Sequence, residues 1–396
     1  MENFEFHNPT RIIFGKGILV LVGREARSFG SRCLLVTGKR SVRESGTYDI
    51  VRNSLEAEGI DVIDLSGIQS NPILSPVHRG IDMVKEKAID FVLALGGGSV
   101  MDTAKAVAAG SLMEGGDIWD VFEGKRQIEK ALPIVCIPTI AASGSEMNGF
   151  MVITNEKTGY KLAAGSPHVY PKLSFLAPEL TFSVPPDYTA YGGVDAICHL
   201  LEPYFNGPDP FTPVQDDMAE GLIRNIMKAT EGCLASPSDY NARSTLMWAA
   251  TLALNGLTRA GVGEHPFPVH LIEHAISAIY GVAHGAGLGA LLPGWMRWRA
   301  RSHGPEKICQ FGTRCLNVID KAETVGCADR SAFVFSQWLS SVGCPSCLAD
   351  LGITKEGHGK IAENVSKQAA IWGIEDMYSN RVILDVLSFC QLRPQE

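Results

Sequence analysis

Four of the chain's ten histidines lie in one stretch, GEHPFPVHLIEHAISAIYGVAHGAGLGALLP, between Gly263 and Pro293: His265, His270, His274 and His284. His270 and His274 are four residues apart in a segment that reads as helix, so their imidazoles share one face. Leu271, Ile272, Ala275, Ile276 and Ile279 surround the pair, which directs the rings into protein or a cleft rather than bulk water. Asp195 and His199 repeat the spacing upstream, in GGVDAICHLLEP. Three imidazoles and one carboxylate, drawn from two helices and the Gly-bracketed His284, make a site for one divalent metal. Such donors suit zinc, ferrous iron, copper or nickel better than magnesium or calcium. For any single histidine the plainer reading is a hydrogen-bonded core residue. Two such pairs in one chain weigh against it.

A second kind of chemistry is written at Gly96, Gly97, Gly98 and Ser99, which follow an apolar strand and open a helix. Backbone without side chains approaches a phosphate closely, and a helix N-terminus offers free N–H groups and partial positive charge. The loop is neither GxGxxG nor a P-loop, since no GK[ST] follows, and a tight turn is its plain alternative. Asp102, in the first turn of that helix, either caps it or orients a ligand hydroxyl. PTIAASGSE (Pro138 to Glu146) forms a second polar turn, where Thr139, Ser143 and Ser145 could donate to phosphate or ribose.

The elements that must position these residues change character along the chain. Phe6 to Phe14 alternates around Pro9 as an irregular strand, and a helical period runs from Gly17 to Phe29. CLLVT (Cys33 to Thr37), DVIDL (Asp61 to Leu65), DFVLAL (Asp90 to Leu95) and PIVCIP (Pro133 to Pro138) are short apolar runs of the kind buried in a parallel sheet. Helical segments around Leu55 to Glu58, over residues 76 to 88, and from Met101 to Ala109 alternate with them, which predicts helices on both faces of that sheet. FMVITN (Phe150 to Asn155) and SFLAP (Ser174 to Pro178) close the series. From Pro186 onward the sequence is rich in Ala and Leu at helical spacing and offers no further strand. The expected fold is therefore an α/β domain over residues 1–185 followed by an all-helical domain over 186–396, the boundary falling at Pro185 and Pro186.

With 396 residues, two domains are the natural expectation. A net charge of -8 offers no general attraction to nucleic acid or an anionic membrane. The first residues lack the basic start and long apolar core of a signal peptide, and no apolar stretch approaches the roughly 20 residues of a membrane span. Ten scattered cysteines show no disulfide framework, and Cys344 with Cys347 is a lone CxxC, half of a zinc site at most. The cytoplasm is the expected compartment.

Taken together, GGGSVMDTAKAVA, PTIAASGSEMN, GGVDAICHLLEPYF and HLIEHAISAIYGVAHGAGLGALLPGWM resemble, in order and over nearly the whole chain, the iron-containing (group III) alcohol dehydrogenases. MWAATLALNG (Met247 to Gly256) looks like the butanol dehydrogenase and broad-specificity aldehyde reductase branch. The resemblance implies an N-terminal nucleotide-binding domain, an all-helical C-terminal domain and an active site in the cleft between them. It implies Asp195, His199, His270 and His284 as metal ligands, with His274 close to nicotinamide and substrate without being a ligand. Its nucleotide contacts match Gly96, Gly97, Gly98, Ser99, Asp102 and Thr139, and Asn71 and Lys161 fall where the nucleotide is commonly touched. The family's glycine-threonine-glycine in the second loop stands here as Ser143-Gly144-Ser145.

An NAD site presents a carboxylate to the ribose 2'-hydroxyl, whereas an NADP site removes that charge and adds cations. NAD-preferring members commonly carry Asp where Gly38 stands, and Lys39, Arg40 and Ser41 follow it here, so NADP(H) is expected over NAD(H). The resemblance thus implies hydride transfer between NADP(H) and a small aliphatic aldehyde or alcohol such as butanal, assisted by Fe2+, with Zn2+ chemically compatible. His274 would relay the proton. A homodimer is the default assembly. Phe150, Met151, Trp248 and Phe267 are candidates for an apolar cleft, each also readable as core. The competing readings are an NAD(H)-preferring alcohol or diol dehydrogenase, a dehydroquinate synthase-like lyase, and a nucleotide- or metal-sensing protein without turnover.

Overall fold

The computed structural model describes residues 1–319 and 322–395. It divides into two compact units, one of His7–Val184 with Pro237–Thr251, the other of Met1–Phe6, Pro185–Ser236 and Leu252–Glu396.

The first unit holds eight strands: β1 Arg11–Phe14, β2 Arg32–Gly38, β3 Asp61–Ile68, β4 Phe91–Gly96, β5 Ile134–Pro138, β6 Phe150–Asn155, β7 Tyr160–Gly165 and β8 Leu173–Leu176. Its helices are α1 Val22–Ala26, α2 Ser41–Glu44, α3 Thr47–Ala57, α4 Leu74–Lys87, α5 Gly98–Gly110 and α6 Trp119–Phe122. Six strands form one sheet in the order β1-β8-β5-β4-β2-β3, every neighbouring pair parallel. The apolar runs read from the sequence become its centre: Cys33–Thr37 and all of β4 and β5 are buried, as strands covered on both faces must be. The edge strands β1 and β3 are half exposed and alternate more. From β2 the chain winds outward to β3, and from β4 it winds the other way to β5, so the winding reverses between β2 and β4. Thr37 pairs with Leu95, which sets Gly38 and Gly96 side by side at the carboxyl ends of those two strands.

Two expectations are corrected here. Between Phe6 and Phe14 only Arg11–Phe14 is strand, because Pro9 has no N–H to give a ladder and Asn8 Oδ1 instead accepts the Thr10 N–H at 3.1 Å. The helical period from Gly17 to Phe29 is broken into a 3-10 turn, the five-residue α1 and a second 3-10 turn, bounded by the left-handed Gly17 and by Gly30 at φ 147°. The antiparallel partner of β6 was not anticipated, since YKLAAG lacks the β-branched residues that mark a strand.

The second unit carries α7 Pro186–Asn206, α8 Pro213–Ala235, the end of α9 Tyr240–Ala253, α10 Pro268–Tyr280, α11 His284–His303, α12 Glu306–Cys315, α13 Val325–Ser341, α14 His358–Ile371 and α15 Asn380–Cys390. Among the described residues no strand follows β8. Helix α7 is buried on nearly all sides and packs against α8 and α11, while α11 also packs against α10, α13 and α15. It continues through Pro203, which cannot donate to the His199 carbonyl one turn back. Among the described residues no helix is long and apolar enough to cross a membrane.

Candidate functional site

Asp195, His199 and Glu202 stand at i, i+4 and i+7 on α7, so they share a face. Helix α10 brings His270, Glu273 and His274, and α11 begins at His284. The Nε2 atoms of His199, His270 and His284 are each 3.6 Å from Asp195 Oδ1. The His199 and His270 rings stack at 4.7 Å, and the His270 and His284 ring centres are 5.3 Å apart. His274 sits beside this set, its ring 6.5 Å from His270 and 5.7 Å from His284. Asp195, His199, His270 and His274 are all buried, while the His284 side chain keeps 28% of its exposure.

The donors fit a divalent cation. Separations of 3.6 Å from Asp195 Oδ1 to the three Nε2 atoms are short enough for one cation bonded to each at about 2.0–2.2 Å, as zinc is to imidazole and carboxylate. Among the described residues Asp195 Oδ1 and His270 Nε2 are buried without a hydrogen-bond partner, an expensive arrangement unless a cation or proton is shared between them. The charges respond accordingly. Burial pushes the Asp195 carboxyl up, but His199, His270 and His284 outweigh it and hold the group far below the usual carboxylate range. Burial drives His199 down to about 3 against the pull of Asp195. Burial also opposes charge on His270, yet Glu202 and Asp195 prevail and raise it to about 10.

Sequence reading missed two carboxylates here. Glu202 Oε1 lies against His270 Nδ1 and accepts the His270 N–H at 3.1 Å, while Oε2 accepts the Val269 N–H at 2.8 Å. Helix α10 has no local side-chain cap, so Glu202 supplies one from α7. Glu273 Oε2 lies against His284 Nδ1, and its Oε1 accepts from the Ser277 hydroxyl. The available signal was an acid three residues after each of two histidines, on faces otherwise apolar. Gly285 lets α11 start flush on α7, since a Cβ there would lie 2.2 Å from the Tyr191 carbonyl oxygen.

The predicted nucleotide residues also converge within their own unit. Gly38 and Gly96 end β2 and β4 at the reversal of winding, where open α/β sheets bind ligands. The Thr139 N–H donates to the Gly96 carbonyl at 3.1 Å, which joins the two loops. Lys161 Nζ donates to Asn71 Oδ1 at 2.9 Å, and the adjoining Pro72 carbonyl accepts from Thr154 at 2.8 Å. The glycines answer to packing as well as to any ligand: a Cβ on Gly97 would meet Ile140 at 2.9 Å, and one on Gly98 would meet Ser143 Oγ at 2.8 Å. Lys39 and Ser41 are exposed beside Gly38.

Lys105, unremarked in the sequence, is completely buried three residues after Asp102. Its ammonium donates to Ser145 Oγ, the Asn148 carbonyl and the Phe150 carbonyl, each at 2.8 Å, and to Asn148 Oδ1 at 3.1 Å. Ser145 in turn donates to Asp102 at 2.9 Å, so its hydroxyl is spent inside the protein. Burial raises Asp102 to about 6 against the attraction of Lys105, and burial lowers Lys105 to about 8 against that of Asp102.

Of the apolar-cleft candidates, Phe267 is 5.6 Å from the His270 ring, Met151 is core, and Trp248 packs edge-on against Phe14 at 6.1 Å. Cys344 and Cys347 are buried, and among the described residues no cysteine joins a group able to hold a metal.

Residues 9–178 match the family described as iron-containing alcohol dehydrogenase, and residues 189–388 match the C-terminal part of the Fe-containing alcohol dehydrogenase family. The chain belongs to the iron-containing alcohol dehydrogenase family. Within it, the probable NADH-dependent butanol dehydrogenase 2 of Bacillus subtilis is 40% identical over 93% of this chain and 94% of its own. The NADPH-dependent aldehyde reductase of Escherichia coli K12 is 35% identical over 89% of this chain and 90% of its own. The crystal structure of NADH-dependent butanol dehydrogenase A from Thermotoga maritima superposes with a TM-score of 0.94, at 42% identity, covering 99% of both chains. As a member of this family the protein is an NAD(P)-dependent alcohol dehydrogenase acting on small alcohol or aldehyde substrates.

Proposed function

We propose that the chain is a metal-dependent aldehyde reductase and alcohol dehydrogenase that prefers NADP(H), uses ferrous iron with zinc as a compatible substitute, and takes short or medium aliphatic aldehydes such as butanal. The observation that carries the reading is the convergence of three imidazole Nε2 atoms on one carboxylate oxygen at a common 3.6 Å. Asp195, His199, His270 and His284 would hold the cation. When bound, the cation supplies a Lewis acid for the carbonyl oxygen and the nicotinamide supplies the hydride. His274, beside the four ligands, delivers the proton that completes the alcohol. Gly96, Gly97, Gly98 and Ser99 cradle the pyrophosphate, and Asp102, Thr139, Asn71 and Lys161 position the rest of the nucleotide.

The preference for NADP(H) is supported by Gly38, which brings no carboxylate to the ribose, and by the exposed Lys39 and Arg40 beside it. Asp64 on the neighbouring strand is engaged by the Tyr48 hydroxyl at 2.8 Å and by Arg52 at 3.0 Å. NADH use is the second reading, favoured by the names of the Bacillus and Thermotoga relatives. The test is oxidation of NADPH and of NADH with butanal, on protein stripped of metal and then given ferrous iron under argon or zinc. Activity restored by metal and faster with NADPH is expected. Full activity in protein shown by metal analysis to be empty would overturn the metal assignment, and a higher kcat/KM with NADH would overturn the nucleotide preference.

A further inference from the structure

Neutral imidazole carries one N–H, and which nitrogen holds it decides which can bind a cation. We propose that Glu202 and Glu273 are positioning residues of the metal centre, each holding the Nδ1–H of one ligand histidine so that its Nε2 lone pair faces Asp195. The inference rests on the ligand assignment above. Both carboxylates have no exposed surface, and burying an anion is costly unless its oxygens meet donors. Those donors include the ring nitrogens of His270 and His284. The arrangement also steps from helix to helix: α7 supplies His199 and the carboxylate for His270, and α10 supplies His270 and the carboxylate for His284. An anion on Nδ1–H fixes the tautomer and the ring plane, and it makes the opposite nitrogen a stronger donor.

The two positions differ in how cleanly they can be tested. Glu202 also accepts two backbone N–H groups of α10, so its loss would disturb the helix. The hydrogen bonds described for Glu273 go to the side chains of Ser277 and His284. In Glu273→Gln the amide oxygen still accepts from His284, the amide nitrogen donates to Ser277 Oγ, and the Ser277 hydroxyl turns to the Val282 carbonyl, 3.3 Å away. These contacts are kept and the charge is lost. Glu273→Ala removes charge and contact together.

The test is titration of the metal-free full chain with Co2+ against a chromophoric chelator, read as dissociation constant, stoichiometry and visible spectrum, with the melting temperature of the metal-free protein alongside. The wild type is expected to bind one equivalent, Glu273→Gln about 10-fold more weakly and Glu273→Ala up to about 100-fold more weakly, with the metal-free melting temperature of the Gln variant unchanged. Both variants binding within about twofold of wild type would overturn the positioning role while leaving the ligands intact. A second equivalent in the wild type would also overturn it, by placing a cation among Glu273, His274 and His284. Failure of the wild type to bind, or binding by His270→Ala as tight as wild type, would remove the ligand assignment and the proposal with it.

Discussion

Gly285→Ala places one methyl group where α11 meets the backbone of α7. An added Cβ would stand 2.2 Å from the Tyr191 carbonyl oxygen and 2.7 Å from its carbonyl carbon, against an ordinary contact of 3.4 Å or more. The obstacle is backbone and cannot rotate away, so the first turn of α11 must retreat by about 1 Å, at an overpacking cost of about 1–3 kcal/mol. For a unit of this size that is a fall of about 2–12 °C in melting temperature. His284 is the adjoining residue and moves with the turn. A bound cation tolerates only about 0.2 Å in each ligand distance, so a retreat of that size takes His284 Nε2 out of the set it forms with Asp195 Oδ1. Affinity for Co2+ should then drop by about 100-fold or more, beyond the 10–100-fold typical of losing an outer partner. Chelator competition reads the affinity and thermal melting of the metal-free protein reads the packing. A lowered melting temperature with wild-type Co2+ affinity would refute the reasoning, because the Tyr191 contact would then not be what seats His284.

Three further outcomes are expected. His270→Ala should abolish metal binding and activity together, whereas His274→Ala should keep the metal by elemental analysis and lower kcat by about 10²–10⁴-fold. Gly38→Asp should fold normally, since a Cβ there meets only Ile68 O at 3.8 Å and Val100 Cγ2 at 4.0 Å, and it should raise KM for NADPH while lowering KM for NADH in steady-state assays. A cation must displace the proton that Glu202 and Asp195 hold on His270, whose pKa is raised to about 10. Apparent metal affinity should therefore rise about tenfold per pH unit below that value, and a pH-independent dissociation constant would count against a second proton on His270.

Much of the frame was legible because burial leaves a mark on composition. CLLVT, DFVLAL and PIVCIP are apolar on both faces, and they became three of the four interior strands, within a residue or so of their expected ends. The cluster of Asp195, His199, His270, His274 and His284 was legible as two four-residue spacings and a Gly-bracketed histidine, and its division into proposed ligands and proton donor leaned on the family resemblance. Glu202 and Glu273 were not legible, because each looks like an ordinary helix acid until a histidine from another helix arrives at its oxygen. Lys105 was hidden for the same reason: in an alanine-rich helix its charge reads as solvent-facing, and only the loop from Ser145 to Phe150 shows it buried. Where glycines interrupt a period, as from Gly17 to Gly30, periodicity overstated the helix.

The cap that Glu202 places on α10 ties the start of that helix to a distant part of the chain. The first N–H groups of α10 depend on an acceptor that the ribosome has made 67 residues earlier. The helix start, the ring nitrogen of His270 that faces Glu202 and the seat of His284 therefore all depend on contacts between α7, α10 and α11. A chain that ends short of His284 lacks one of the four proposed ligands. If the four side chains hold the metal as proposed, its selection falls to the folded protein, where geometry rather than raw affinity decides.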